Sequence, residues 1–400
     1  MSQQIQDAFI VAAVRTPVGR IRGVFRNTRP DDLLSHVVRS ALAGLPSFDH
    51  GRIGDVIVGC AMPEAEQGLN VARIGLLLAG LPDSVPGVTV NRFCASGLQA
   101  VAMAADRIRL GEADIMIAAG TESMSLVPMM GNKVAMNPRV FEGDRHVGIA
   151  YGMGATAENV ARRWKVSRED QDAFGLRSHE RAVAAIDRGD FGQEITPYAV
   201  ETRRADPISE TVEVSTRSVK TDQGPRRDTS HESMAKLKPA FAAGGSVTAG
   251  NSSQMSDGAG AVVLMSERLI TELGVAPLAR FVGFAVAGVA AEVMGIGPVE
   301  AIPRVLKQTG IRQAELDWIE LNEAFAAQSL AVIRELDLDQ ERVNPLGGAI
   351  ALGHPLGATG AIRTATLLHG LERTRGRYGM VTMCIGTGMG AAGVFESLNA

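Results

Sequence analysis

Three side chains in this sequence could do covalent chemistry on a carbonyl: Cys94, His354 and Cys384. Cys94 stands in Asn91-Arg92-Phe93-Cys94-Ala95-Ser96-Gly97-Leu98-Gln99, and Cys384 opens Cys384-Ile385-Gly386-Thr387-Gly388-Met389-Gly390. Both read as strand-to-helix corners framed by glycine. Small residues around a thiol admit a substrate and leave backbone N–H groups free to meet developing negative charge. A helix beginning at Cys94 favours its thiolate through the positive end of the helix dipole. His354 follows Gly353 and precedes Pro355, a setting with few packing partners that suits a base or an oxyanion donor. The plainer readings are a buried cysteine acting as a small hydrophobe and a hydrogen-bonded core histidine.

Other motifs are excluded by their surroundings. Gly388-Met389-Gly390-Ala391-Ala392-Gly393 fits a dinucleotide fingerprint in letters alone, but seven residues after Gly393 leave no room for the next strand and its acidic residue. His179-Glu180 and His231-Glu232 lack the second histidine of a zinc-binding helix, and there is no phosphate-binding loop. Three cysteines at 60, 94 and 384, with no CxxC, argue against a disulfide framework or a cysteine metal site, so no metal is expected. Free thiols fit a reducing, cytoplasmic setting.

The elements that must position these residues read as α/β. Strands are expected at Phe9–Val14, Asp55–Cys60, Gly87–Asn91, Asp114–Gly120, Ala261–Met265, Ala279–Ala287, Trp318–Leu321 and Met380–Cys384. Helices are expected at Asp31–Leu42, Val71–Leu78, Ala95–Leu110, Ala155–Trp164, Arg168–Arg188, Pro298–Gln308, Glu323–Leu336 and Ala358–Glu372. The order strand, glycine corner, small-residue helix, strand occurs near residue 90 and again near 345, a hint of duplication. Residues 122–250, with Met- and Pro-rich turns and the polar run Arg203–Thr216, read as an insertion over a sheet face. Four hundred residues imply more than one domain, and 45 scattered glycines imply many tight turns. A net charge of −4 excludes general nucleic-acid binding. The segment Met1–Asp7 lacks the pattern of a secretory signal, and no apolar run reaches membrane-spanning length.

Taken together, Asn91–Gln99, Asn322-Glu323-Ala324-Phe325-Ala326, Gly353-His354-Pro355-Leu356-Gly357, the Cys384 glycine loop and Thr248-Ala249-Gly250-Asn251-Ser252-Ser253 resemble the thiolase family, closest to its degradative 3-ketoacyl-CoA branch. The likeness runs from Val11–Gly19 to the C-terminal glycine loop. It implies two βαβαβαββ units in a five-layer αβαβα core: residues 1–121 with 252–270, then 271–400, with 122–251 as a loop domain for substrate and CoA. It implies acyl transfer through an acyl-Cys94 intermediate, with His354 as the base and Cys384 handling the α-proton. Asn322 and His354 would form one oxyanion hole, through a water. The backbone N–H groups of Cys94 and Gly386 would form the other. Ser252 and Ser253 would lie along the pantetheine, Arg226 near the adenine and phosphates, and Met153 in the acyl pocket. Locally, Asn322 also reads as a helix N-cap, and Arg226-Arg227 as a solvated basic loop. Gly152 stands where many short-chain relatives carry histidine, which hints at a roomier pocket; Ala95 stands where many have glycine or serine.

The leading expectation is thiolytic cleavage of 3-ketoacyl-CoA in β-oxidation, with CoA as a substrate and no tightly bound cofactor. The rivals are a biosynthetic acetoacetyl-CoA thiolase, a non-catalytic acyl-CoA-binding or assembly subunit, and a redox-sensing cysteine protein. Intact Cys94, His354 and Cys384 speak against a pure binder. The resemblance also implies a homodimer or homotetramer and admits a complex with other β-oxidation enzymes.

Overall fold

The computed structural model describes residues 5–143 and 146–399; residues 1–4, where the N-terminal segment read above begins, lie outside it, as do 144–145 and 400. The chain opens with β1 (Ala8–Arg15), β2 (Gly19–Arg20), α1 (Pro30–Ala43), β3 (Val56–Gly59), α2 (Val71–Leu78), β4 (Gly87–Val90), α3 (Ser96–Arg109) and β5 (Ile115–Ser123). A long excursion follows, with α4 (Met153–Arg163), α5 (Arg168–Arg188), the hairpin β6 (Tyr198–Asp206) and β7 (Thr211–Val219), and the short α6 (His231–Ala235). The chain then runs through β8 (Ser256–Ser266), α7 (Glu267–Leu273), β9 (Ala279–Gly288), α8 (Gly297–Thr309), β10 (Leu316–Leu321), α9 (Ala326–Glu335), α10 (Ala349–Leu352), α11 (Leu356–Thr374), β11 (Tyr378–Ile385) and β12 (Met389–Ser397).

The strands lie in the order β10-β11-β12-β9-β1-β8-β5-β3-β4, with β2 beside β8. The order contains one arrangement twice. In the first half β3 pairs parallel with both β4 and β5, β5 pairs antiparallel with β8, and β8 with β1. In the second half β10 pairs parallel with β11, β11 antiparallel with β12, and β12 with β9. The counterpart of β4 shrinks to one parallel bridge between Ile319 and Val343. Within the sheet, the halves join where Phe9 and Ile10 of β1 face Arg280 and Ala279 of β9.

Helices make this strip of strands into five layers. α1 and α2 cover one outer face through Leu33, Leu34, Val37 and Leu76. α8 and α9 cover the other through Ile302, Val305, Leu330 and Ile333. α3 and α11 form the middle layer, with Leu98, Val101, Ile108, Leu367 and Leu371 in one continuous core. Every residue of β5 and β8 is buried, as expected for strands covered on both faces. The helix ends follow local chemistry. Ser167 caps α5 by accepting from the Asp170 N–H, and Gly189 ends it with a left-handed φ of 77°.

Two expectations are corrected here. Cys384 is not at a strand-to-helix corner: it lies in β11, and the chain turns through Gly386–Gly388 into β12. The glycine-rich tail is therefore a strand, because its backbone is fully paired between β11 and β9. Helix α9 begins at Ala326 rather than Glu323, so Asn322 caps nothing. The polar run Arg203–Thr216 falls in the hairpin β6–β7, which forms a two-stranded sheet of its own. The Arg15 guanidinium ties the excursion to β1, with Nε bonded to Glu194 at 2.5 Å and both Nη atoms to Asp222 at 2.7 and 2.9 Å, all three residues buried. No helix among the described residues is long and apolar enough to cross a membrane.

α3 and α11 touch backbone to backbone. A Cβ on Gly97 would lie 2.7 Å from the Ala361 nitrogen, and one on Gly360 would overlap the Leu98 nitrogen. Gly360→Val should therefore lower the urea midpoint by the equivalent of about 3 kcal/mol. Gly44→Ala, at a site with no neighbour within 4 Å, should change it by less than about 0.5 kcal/mol.

Candidate active site

The central helices bring the distant motifs together. Cys94 sits in a short 3-10 turn, Phe93–Ala95, directly before α3. His354 sits between α10 and α11. Because the two helices cross at glycines, their N-terminal ends open on one cavity of about 1110 Å³, lined by both Cys94 and His354. Met153, Ser252, Ser253, Phe241 and Phe325 complete its inner walls. Cys384 is fully buried just behind, packed with Met153, Met294, Ala324 and Phe325, all of which line the cavity.

The backbone N–H groups of Gly386 and of Cys94 itself favour a charge on the Cys94 sulfur. They do not outweigh burial, which pushes the thiol up to about 11. A resting thiolate, expected from the helix end, is thus corrected: desolvation in a dry pocket exceeds the help of two backbone donors. Cys384 is likewise raised by its own burial, and a charge on Cys94 would raise it again. His354 moves the other way: burial, then the positive charge of Arg363, lowers it to about 3. At neutral pH the imidazole is uncharged and can accept a proton.

The ring of His354 is held at both nitrogens. Nδ1 lies 2.6 Å from the Thr359 hydroxyl and Nε2 lies 3.4 Å from Asn322 Nδ2. Nδ1–H donating to Thr359 leaves the Nε2 lone pair facing Asn322. Asn322 Oδ1 is buried with no hydrogen-bond partner among the described residues. The His354 N–H donates to Ser256 Oγ and to the Gln254 carbonyl. Below the loop, Glu122 accepts from the N–H groups of Ala61, Met62 and Gly357 at 2.7, 3.2 and 2.9 Å and also from Gln67. That carboxylate pins the start of α11 to the end of β3.

Each remaining candidate has a defined place. The Ser252 hydroxyl donates to the Thr248 carbonyl, and the Ser253 N–H donates to the Ala324 carbonyl. Arg226 does not line the cavity; its guanidinium holds Asp228, and its N–H donates to His179 Nδ1. Thr359 and Glu122 were not singled out from the sequence. The only available signal was their place beside motif residues, Thr359 five positions after His354 and Glu122 in Gly120-Thr121-Glu122-Ser123. Among the described residues, no group of three His, Cys, Asp or Glu side chains could hold a metal.

Comparison with known proteins gives the arrangement a family. The description "Thiolase, N-terminal domain" matches residues 8–268, and "Thiolase, C-terminal domain" matches residues 275–397. The chain belongs to the thiolase family. It is 51% identical to the 3-ketoacyl-CoA thiolase of Bacillus subtilis (strain 168), across 98% of this chain and 100% of that protein. It is 48% identical to the peroxisomal 3-ketoacyl-CoA thiolase A of Mus musculus, across 98% and 91%. Its fold superposes on the crystal structure of the Bacillus anthracis acetyl-CoA acetyltransferase with a TM-score of 0.89 at 39% identity, covering 99% of this chain and 100% of that one. The chain therefore has the thiolase fold and is an acyltransferase.

The raised thiol gives a direct test. Alkylation of Cys94 by iodoacetamide, followed by mass spectrometry, should accelerate about tenfold per pH unit from pH 7 to 9, because the thiolate fraction does so below a pKa near 11. A rate already at its plateau by pH 8 would contradict the burial argument. Cys60 and Cys384, both fully buried, should stay unmodified.

Proposed function

We propose that this enzyme cleaves 3-ketoacyl-CoA with CoA, giving acetyl-CoA and an acyl-CoA two carbons shorter. The observation that carries the reading is that Cys94 and neutral His354 open on one cavity with Cys384 buried directly behind its wall, while two backbone N–H groups favour charge on the nucleophilic sulfur.

The chemistry follows from those positions. His354 takes the Cys94 proton as the sulfur attacks the β-carbonyl carbon. The negative charge arriving on that oxygen is met by the N–H groups of Cys94 and Gly386, each contributing roughly 3 kcal/mol by analogy with other oxyanion donors. Collapse breaks the Cα–Cβ bond. The electron pair goes to Cα, the thioester oxygen is stabilised by His354 with a water held by Asn322, and Cys384 delivers the proton to Cα. CoA then attacks the acyl-Cys94 thioester, its thiol proton passing to the Cys384 thiolate, and Cys94 leaves and takes back the proton held by His354. A thiol with a raised pKa suits Cys384, since it must hold its proton until a carbanion forms.

The loop domain, residues 122–251, would form the substrate-facing wall, with Met153 at the acyl group and Ser252 and Ser253 along the pantetheine; residues 1–121 with 252–270 and residues 271–400 would be the two repeated units. Arg226 would meet the adenine and phosphates after releasing Asp228. No tightly bound cofactor is required. Three free cysteines fit a cytoplasmic setting. A homodimer or homotetramer is supported by the open edge of β4, flanked by exposed Leu77, Leu78 and Val88.

Steady-state thiolysis of short-, medium- and long-chain 3-ketoacyl-CoAs tests the reading. Cys94→Ala should lower kcat by about 10⁴-fold or more; wild-type turnover in that variant would end the assignment. Cys384→Ser should still form the acyl-enzyme, seen as a mass increment, yet exchange the α-proton of acetyl-CoA at least tenfold more slowly.

A further inference from the structure

The two N–H groups beside the Cys94 sulfur are each flanked by a residue in an unfavourable backbone conformation. Phe93, directly before Cys94, has a φ of 44°, and Thr387, directly after Gly386, has a φ of 68°. Left-handed backbone suits glycine; a bulky or β-branched side chain there is a genuine outlier. Among the described residues, Thr387 is the one β-branched residue with such a φ, and Phe93 the one aromatic. Neither lines the cavity, so any part they play in the chemistry passes through Cys94 and Gly386.

Both conformations are clamped by hydrogen bonds. The Phe93 N–H donates to Asn91 Oδ1 at 2.8 Å, and the Ser96 hydroxyl donates to the Phe93 carbonyl at 2.7 Å while accepting from the Arg92 N–H at 2.8 Å. The Thr387 hydroxyl donates to the Gly386 carbonyl at 2.5 Å, and the Val289 N–H donates to the Gly388 carbonyl at 2.8 Å. The two turns also meet: a Cβ on Gly386 would lie 3.9 Å from the Phe93 ring. These clamps bear on the donors. Fixing Phe93 fixes the Phe93–Cys94 peptide, and with it the direction of the Cys94 N–H. Gly386 has no Cβ to limit its rotation, yet it is held from both sides. The pairing of Ile385 with Met389 holds one side, and the Thr387 hydroxyl on its carbonyl holds the other.

We propose that Phe93 and Thr387 are positioning residues, whose clamped left-handed backbones aim the Cys94 and Gly386 N–H groups at one point beside the nucleophilic sulfur. Residues in sparsely populated conformations persist only where their surroundings over-determine them, and they gather at sites that need fixed geometry. A donor aligned before the reaction needs no rearrangement when charge develops. The inference rests on the thioester chemistry proposed above and names what keeps its donors in place.

The test compares Thr387→Val, which keeps the branched shape without the hydroxyl, with Thr387→Ser, which keeps the hydroxyl. Alkylation of Cys94 by iodoacetamide at pH 8 needs no turnover and is the deciding measurement. Thr387→Val should slow it about threefold or more, because a misaligned Gly386 N–H supports the thiolate less, and Thr387→Ser should stay within about twofold of wild type. A merely structural role would loosen the site and speed alkylation. In thiolysis, Thr387→Val should lose about tenfold or more in kcat with KM within about threefold. The strain is read by thermal melting: Phe93→Gly should melt about 2 °C above Phe93→Ala, and Thr387→Gly likewise above Thr387→Ala, the reverse of the usual order. Unchanged or faster alkylation in Thr387→Val, equal slowing in Thr387→Ser, an unchanged kcat in Thr387→Val, or an alanine variant more stable than its glycine counterpart overturns the proposal. Slowed alkylation in Thr387→Val, alongside a wild-type enzyme that performs no thiolysis, would support the positioning and count against the proposed reaction.

Discussion

The close crossing of α3 and α11 is the contact on which the rest of this structure depends. Gly97 and Gly360 let the two backbones meet with no side chain between them. Each helix belongs to a different repeat, and each is preceded by a reactive residue, Cys94 in one and His354 in the other. A larger residue at either glycine would push the helices apart and carry the thiol and the imidazole with them. Duplication of one βαβαβαββ unit thus becomes a site only because the middle layer is thin.

The same burial that holds the core together sets the chemistry. Cys94 and Cys384 are held as thiols and His354 as a neutral base, in each case chiefly by desolvation. In the reaction proposed above the proton moves when substrate arrives, and the N–H groups of Cys94 and Gly386 receive the charge that follows. Thr359 and Asn322 fix the ring, while Glu122 fixes the loop that carries it. These partners are themselves buried, so the geometry is set by packing rather than by solvent-exposed contacts.

The excursion between β5 and β8 supplies much of the cavity wall but none of the central sheet. It is tied to the sheet at a buried point, where Arg15 of β1 holds Glu194 and Asp222. Removing one member of such a group leaves a charge without a partner in a dry setting, which is far more costly than losing a surface pair. Gln223, next to Asp222, then fixes the loop carrying Arg20 and Arg22. One ionic cluster thereby joins the core, the wall and the outer end of the cavity.

The sequence alone determined the reactive residue types, their glycine-rich frames, the α/β order and most central strands and helices, because each depends on neighbours in the chain. It also carried the motif set that pointed to the family. Tertiary structure decided what depends on distant neighbours. The tail from Met389 to Ser397 is a strand because β11 and β9 pair with both its edges, against the local preference of glycine and alanine. Asn322 faces His354 rather than capping a helix because α9 starts four residues later. The Cys94 thiol is raised, not lowered, because burial is a sum over every surrounding atom, and no stretch of sequence around residue 94 contains that sum.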